Sequence, residues 1–486
     1  MYIRNEDTIC APATVPGTGA ISVIRVSGPE ALSIADKAVR CRKGTISDAD
    51  GYTLKFGEIC TPDGSIIDEV LVSVFRAPHS YTGENSVEIS CHASSYIVSS
   101  IMDILRCAGA RAAEPGEFTQ RAFLNGKMDL AQAEAVADVI ASQNAAAHRI
   151  AFKQMKGGFS SELRDMRAEL LELVSLMELE LDFSEEEVEF ADRSRLDGLL
   201  SALIDHISRL IDSFRLGNAI KNGVPVAIAG ATNTGKSTLL NALLGEERAI
   251  VSDVHGTTRD TIEETLNIDG IRFRFIDTAG LRETSEVVEK IGIQRTFQKI
   301  SEASIVLGMI DLTRDEETSI ETVREIIEKV DFSSQKLIFL LNKTDICNVN
   351  KNVIMENFIV SLLNNKEITS TVINSAENPK VDAPIIPISA KTGSGINVLR
   401  AILAASQRDL LDEGDTTLVT NQRHVQALAD SRTSLLRVRD GLASGLPTDL
   451  AAQDIREAIY HLGSIVGEIS TDEVLGNIFR NFCIGK

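Results

Sequence analysis

The stretch "GATNTGKST", Gly230 to Thr238, fits the pattern G-x-x-x-x-G-K-[ST]. Gly230 and Gly235 let successive main-chain N–H groups curl around phosphate oxygens, and Lys236 sets a point charge near the β- and γ-phosphates. Ser237 offers its hydroxyl to Mg²⁺. Three shorter motifs follow in order. In "DTAG" (Asp277, Thr278, Ala279, Gly280), Asp277 can hold the Mg²⁺ shell and the Gly280 N–H can sense a γ-phosphate. In "NKTD" (Asn342, Lys343, Thr344, Asp345), Asp345 presents two acceptor oxygens to the two N–H donors on one edge of guanine. Adenine lacks that donor pair, so the carboxylate selects GTP by going unpaired with ATP. "SAK" (Ser389, Ala390, Lys391) is placed to touch the guanine carbonyl. Each short motif is common alone; in this order after a phosphate loop they specify a GTPase.

The predicted nucleotide contacts are therefore Asn233, Thr234, Gly235, Lys236, Ser237 and Thr238, with the three downstream motifs. The segment Ser252, Asp253, Val254, His255, Gly256, Thr257 and Thr258 lies where a switch loop belongs, and Thr258 is the candidate second Mg²⁺ ligand. Leu281 follows "DTAG" at the position where signalling GTPases carry a glutamine that orients water. Leucine cannot do this. Glu283, Glu286 and Glu289 are equal candidates by sequence alone.

These motifs end strands. "VPVAIAG", "RFRFIDTAG", "SIVLGMID", "KLIFLLNKTD" and "PIIPISA" are short apolar runs alternating with helical stretches from about 218 to 408, the pattern of a doubly wound, mostly parallel sheet. Residues 1 to about 120 mix β-rich runs ("AISVIRV", "EVLVSVF") with a helical "SSYIVSSIMDILRCAG" ending at glycine, which predicts an α+β domain. From about 125 to 217 the texture is helical: Leu163, Met166, Leu170, Leu173, Met177 and Leu181 step by three and four and read as core. The seven carboxylates from Glu178 to Glu189 read as a solvated helix end. Helix returns after 409, with a break at "SGLPTD". An α/β block is thus inserted into a helical domain. The expected boundaries are 1–121, 122–217, 218–408 and 409–486.

The net charge of −21 over 486 residues argues against general polyanion binding, so any nucleic-acid site must be a local basic patch. Seven scattered cysteines, odd in number and never C-x-x-C, favour a reducing compartment. The N-terminus has no signal-peptide core, and no apolar run approaches membrane-spanning length. A cytoplasmic protein with no membrane partner is expected. The ending "NFCIGK" is unusual, because chain ends are generally loose and polar. Phe479, Phe482 and Ile484 predict a docked end that fixes Cys483 and Lys486 in place.

The chain as a whole resembles the MnmE/TrmE family of tRNA-modifying GTPases. The resemblance is carried from end to end by "DTICAPATVPGTGAISVIRVSG", "SYTGENSVEISCH", "PGEFTQRAFLNGKMDLAQAEAVADVI", "GTTRD", "DTAGLRET", "VEKIG", "NKTD", "NQRH" and the terminal "FCIGK". It implies an N-terminal tetrahydrofolate-binding domain, a helical domain built from both sides of the insert, and an inserted G domain. It implies a homodimer held through the N-terminal domains, and a flavoprotein partner, GidA/MnmG, in a heterotetramer or larger complex. The implied reaction adds a carboxymethylaminomethyl or aminomethyl group to C5 of the wobble uridine of certain tRNAs, using a folate one-carbon unit.

By the same resemblance, Arg25, Glu88, Lys127 and Lys486 bind 5-formyltetrahydrofolate or a related tetrahydrofolate. Asn233, with oxygens of Ser252, Val254 and Thr257, holds K⁺, and Glu289 orients the attacking water through a bridging water. Cys483, which by itself reads equally as a small buried hydrophobe or a catalytic thiol, becomes a catalytic candidate facing the folate and the uridine. The sequence departs from the family at Thr232, where proline is usual, and at Ala93 and Ser94, where glycines are usual. The polar stretch 346–388 is long for the family and is expected to be a disordered loop. A regulatory RNA- or ribosome-binding GTPase without modification chemistry is the alternative reading; folate binding would separate the two.

Overall fold

The computed structural model describes residues 7–61, 64–182, 193–245, 264–276, 303–332, 335–347, 349–363, 383–407, 417–444, 448–468, 472–480, 482 and 485. They gather into two compact units. One comprises Met1–Ser142, His148–Ile211 and Asn421–Lys486; the other comprises Gln143–Ala147 and Asp212–Thr420.

In the first unit, β1 (Ile9–Pro12), β2 (Ile21–Ser27), β3 (Val39–Cys41), β4 (Thr53–Cys60), β5 (Ile66–Phe75), β6 (Ser86–His92) and β7 (Arg111–Ala112) form one sheet in the order β3-β4-β5-β6-β2-β1-β7. All neighbours are antiparallel except β1 and β7. Alternation sorts the side chains. Ile24, Val26, Val70, Val72, Val74, Val87 and Ile89 point inward, into a core shared with α1 (Ala31–Ala38) and α2 (Ser95–Ala108). The cross-strand pairs Phe56–Leu71, Leu54–Ser73, Ser73–Glu88 and Arg25–Glu88 therefore share the opposite face. Leu54, Phe56 and Leu71 are exposed there.

The next helix, α3 (Glu117–Leu124), is fixed by a buried ion network. Arg121, fully buried, donates to Asp7 Oδ1 at 2.6 Å, Glu84 Oε1 at 3.1 Å and Glu117 Oε1 at 3.4 Å. Three carboxylates around one guanidinium offset the cost of desolvating it. A capping box then starts α4 (Leu130–Ala141), with Asp129 and Gln132 bonding each other's main-chain N–H. The helical part continues through α5 (Ala145–Met155), α6 (Gly158–Asp182) and α7 (Arg193–Asn222), of which Ala145–Ala147 and the residues from Asp212 on belong to the second unit. The expected stripe is core: Leu163, Met166, Leu170, Leu173 and Met177 are all buried on α6. Most of the acidic run after it lies outside the described residues.

In the second unit, β8 (Val224–Ala229), α8 (Lys236–Leu244), β9 (Glu264–Ile268), β10 (Ile271–Phe275), β11 (Ile305–Asp311), α9 (Glu316–Ile327), β12 (Lys336–Asn342), α10 (Val349–Leu363), β13 (Ile385–Pro387) and α11 (Ile396–Ala405) follow in turn. The sheet order is β13-β12-β11-β8-β10-β9, parallel except for the β9–β10 edge hairpin. This is the doubly wound sheet that the strand spacing predicts. The expected disordered loop over 346–388 is corrected at both ends: β13 falls in its last residues, and α10 is an ordered helix whose Met355, Ile359, Leu362 and Leu363 join the sheet's core. Its scattered polar residues hid four core positions. Residues 364–382 lie outside the described set.

The chain then returns to the first unit with α12 (Gln422–Ala443), α13 (Thr448–Val466) and α14 (Asp472–Phe479), the first two separated at the "SGLPTD" break. Arg423 of α12 makes a two-pronged pair with Glu134 of α4 at 3.0 and 2.9 Å, and His424 Nε2 lies 2.6 Å from the same carboxylate. Phe479 and Phe482 are docked, as the sequence predicts, while Ile484 lies outside the described residues. Leu475 and Phe479 pack with Leu130 and Ala133, and the Phe479 ring meets Phe123 and Phe482.

Candidate functional site

Four sequence segments converge at the carboxyl ends of β8, β11, β12 and β13. The phosphate loop runs from β8 into α8 and needs unusual backbone. Gly235 has φ +99° and Asn233 φ +61°. A Cβ on Gly230 would fall 2.5 Å from the Met309 carbonyl of β11, so only glycine fits. Thr234 is buried and its hydroxyl donates to the Ala231 carbonyl at 2.9 Å. Lys236 Nζ donates to the carbonyls of Gly230 and Ala231, both at 2.8 Å. Burial, helped by the nearby Arg314 guanidinium, pulls its ammonium down to about 8.

Asn342, at the end of β12, joins three loops. Its Nδ2 donates to the Thr234 carbonyl at 2.7 Å, and its Oδ1 accepts from the Ala390 N–H at 3.0 Å. Lys343, at φ +68°, turns to donate to Asp311 Oδ2 at 2.7 Å. Burial would raise the Asp311 carboxyl, but the bonds from Lys343 and Thr313 outweigh it and hold it below the usual range. The Thr344 hydroxyl donates to the Ile388 carbonyl at 3.0 Å, and the Ser389 hydroxyl donates to Asp345 Oδ1 at 2.7 Å. The third strand-end loop thus aims the carboxylate of the second. Asp345 and Lys391 are exposed at the mouth of this arrangement. Ser237 and Thr238 stand in the first turn of α8.

Sequence reasoning missed Asp311 and Arg314. Arg314 donates through Nη2 to the Thr232 carbonyl of the phosphate loop. The only written signal was an aspartate closing the apolar run "SIVLGMID".

Arg25 and Glu88 sit on the sheet face opposite the α1–α2 core, where Phe118 of α3 and Tyr81 partly cover it. Arg25 Nε and Nη2 donate to Glu88 Oε1 at 3.0 and 2.8 Å across the β2–β6 pair. The guanidinium lies 5.0 Å from the Tyr81 ring centroid and 5.6 Å from that of Phe118, neither of which the sequence flagged. Lys127, in the turn after α3, donates through Nζ to the Pro78 carbonyl at 3.0 Å. The chain end approaches the same strands. A Cβ on Gly485 would fall 2.1 Å from the carbonyl of Pro12, the neighbour of Ala11, which pairs with Arg25. Ala93 and Ser94, the departures from the family's glycines, accept and donate in the β6–α2 turn: the Gly19 N–H donates to Ala93 O and the Ser94 N–H to His92 O. His92 Nδ1 pairs with Asp68 at 2.7 Å, and no metal-binding cluster occurs among the described residues.

Ser252, Asp253, Val254, His255, Gly256, Thr257, Thr258, Asp277, Thr278, Ala279, Gly280, Glu289, Cys483 and Lys486 lie outside the described residues. No described helix is long and apolar enough to cross a membrane.

Comparison with known proteins matches residues 130–483 to the family described as MnmE helical domain, and residues 8–127 to that described as GTP-binding protein TrmE N-terminus. The chain is 52% identical to the tRNA modification GTPase MnmE of Bacteroides thetaiotaomicron, covering 99% of this chain and 100% of that protein. It is 50% identical to the protein of that name from Parabacteroides distasonis and 49% identical to that from Flavobacterium johnsoniae, each again over 99% and 100% of the two chains.

Proposed function

The chain belongs to the MnmE family of tRNA modification GTPases, and we propose that with a flavoprotein partner it adds a carboxymethylaminomethyl or aminomethyl group to C5 of the wobble uridine of certain tRNAs, drawing the carbon from a folate. The observation that carries the nucleotide half is Asn342 binding the phosphate loop and the "SAK" loop at once. That link sets the distance between the phosphate end and the guanine end of the ligand. Guanine pairs with Asp345, aimed by Ser389. Lys236 exchanges its two loop carbonyls for phosphate oxygens. Arg314 steadies the loop at Thr232.

Ser237 and Thr258 would hold Mg²⁺, with Asp277 supporting its hydration, and the ion would neutralise phosphate charge. K⁺ fits the neutral oxygen of Asn233, an exposed residue held at φ +61° where the loop backbone turns, with oxygens of Ser252, Val254 and Thr257. Glu289 orients the water that attacks.

The folate reading is supported by the Arg25–Glu88 pair, partly exposed between two rings, with Gly485 seated beside β1. A guanidinium and a carboxylate meet a ligand that carries both carboxylates and a pterin N–H edge. Lys127 and Lys486 would complete the set, and Cys483 would face the uridine. Homodimerisation through this domain is supported by exposed Leu54, Phe56 and Leu71 on the same sheet face, because sheets seldom leave such a row in water. The flavoprotein joins this dimer in a heterotetramer or larger complex, in the cytoplasm.

The test is binding of 5-formyltetrahydrofolate to the purified protein by calorimetry. Micromolar binding that is lost in Arg25→Ala supports the reading; no binding by the wild type removes the folate chemistry.

A further inference from the structure

Residues 139–161 contain no aspartate or glutamate, although the chain average of 70 carboxylates in 486 residues would place about three there. The same window holds His148, Arg149, Lys153 and Lys156. Helix α5 and the turn after it carry these residues. Ala146, Ala147, Ala151 and Gln154 form its buried side. His148, Phe152 and Lys156 step by four along the other side and are exposed, as is Arg149. Phe152 is 43% exposed, an unusual position for a phenylalanine. Its ring stacks with His148 at a centroid distance of 5.8 Å and 18° between planes, and Lys156 Nζ lies 5.4 Å from its centroid.

We infer that this outer face of α5 is a docking surface for RNA. Flat ring faces give an unstacked base a platform, and the flanking cations meet phosphates. It is a local basic patch of the kind that an acidic chain needs in order to hold a polyanion. A protein helix would want an apolar stripe, and this face offers one large exposed apolar side chain. The inference rests on the tRNA reading above but assigns a surface to it.

The test titrates the full-length protein into fluorescent tRNA over a series of salt concentrations. Phe152→Ala should weaken binding at least about fivefold, the loss typical of one base stack, and Phe152→Tyr should restore it. Arg149→Gln with Lys156→Gln should flatten the dependence of log K on log salt by roughly 1.5. GTP hydrolysis should not move in any of these variants, and all are compared below their melting temperatures. Unchanged tRNA affinity overturns the inference. So does loss of flavoprotein binding with tRNA binding intact, which would make α5 a protein surface. A wild type that modifies tRNA with its partner but binds none alone also overturns the inference while leaving the tRNA reading standing. A wild type that modifies no tRNA defeats the reading itself.

Discussion

The side-chain amide of Asn342 donates to the main-chain carbonyl of Thr234 at 2.7 Å, across 108 residues of sequence. Both residues are buried. Asn342→Ala would strand the Thr234 carbonyl and the Ala390 N–H, each costing about 1–3 kcal/mol when buried without a partner. Calorimetric melting should show the loss, and GDP titration should show weaker binding. Asn342→Asp keeps the acceptor for Ala390 but sets a buried carboxylate oxygen against the Thr234 carbonyl, so it should destabilise at least as much as Asn342→Ala.

Lys236 gives a dependence on pH. Its amine titrates at about 8 in the folded protein against an ordinary 10.5. Between those values the unfolded chain holds a proton that the folded chain lacks, so this residue's contribution to stability rises with pH. Below about 8 the burial cost of the charge is present in full. The melting temperature of the wild type should therefore gain on that of Lys236→Met from pH 8 to 10.5. Nucleotide binding runs the other way. Phosphates need the ammonium, so GDP affinity should fall as pH rises above about 8.

Glu134 has the opposite sign. Burial would raise its carboxyl, but His424 and Arg423 overcome that and hold it at about 2. Its contribution is complete above the ordinary 4.5 and is lost as pH falls toward 2. Glu134→Gln should lower the melting temperature at neutral pH, and the gap to wild type should close between pH 4.5 and 2. A constant gap over that range would contradict the ion-pair account.

Gly485 has φ +96° and no room for a side chain against Pro12. Gly485→Ala should displace the chain end much as deletion of "GK" would. Either change should weaken folate binding and leave GTP hydrolysis largely intact, measured by folate calorimetry and phosphate release on the same samples.

Local signals made much of this legible. The phosphate loop needs its glycines within six positions, and its strand and helix flank it directly, so Gly230 to Thr238 announce both fold and ligand. "NKTD" and "SAK" likewise sit where strands end. What stayed hidden depends on long-range pairing. Arg25 reads as a surface charge until the β2–β6 register sets it opposite Glu88. Arg121 reads as the polar side of a short helix, because Asp7 and Glu84, which neutralise it, come from distant segments. "NQRH" shows no purpose until α12 meets α4 and Glu134 takes both Arg423 and His424. The antiparallel strand β9 follows switch residues and lacks the continuous apolar run of a buried strand, so periodicity passed over it.

The central claim is modification of wobble uridines, and nucleoside analysis of tRNA from cells lacking this protein tests it most directly. The account predicts that the C5-modified nucleoside disappears and returns on expression of the wild-type chain, but not of Lys236→Met. Normal levels of the modified nucleoside in its absence would contradict the account.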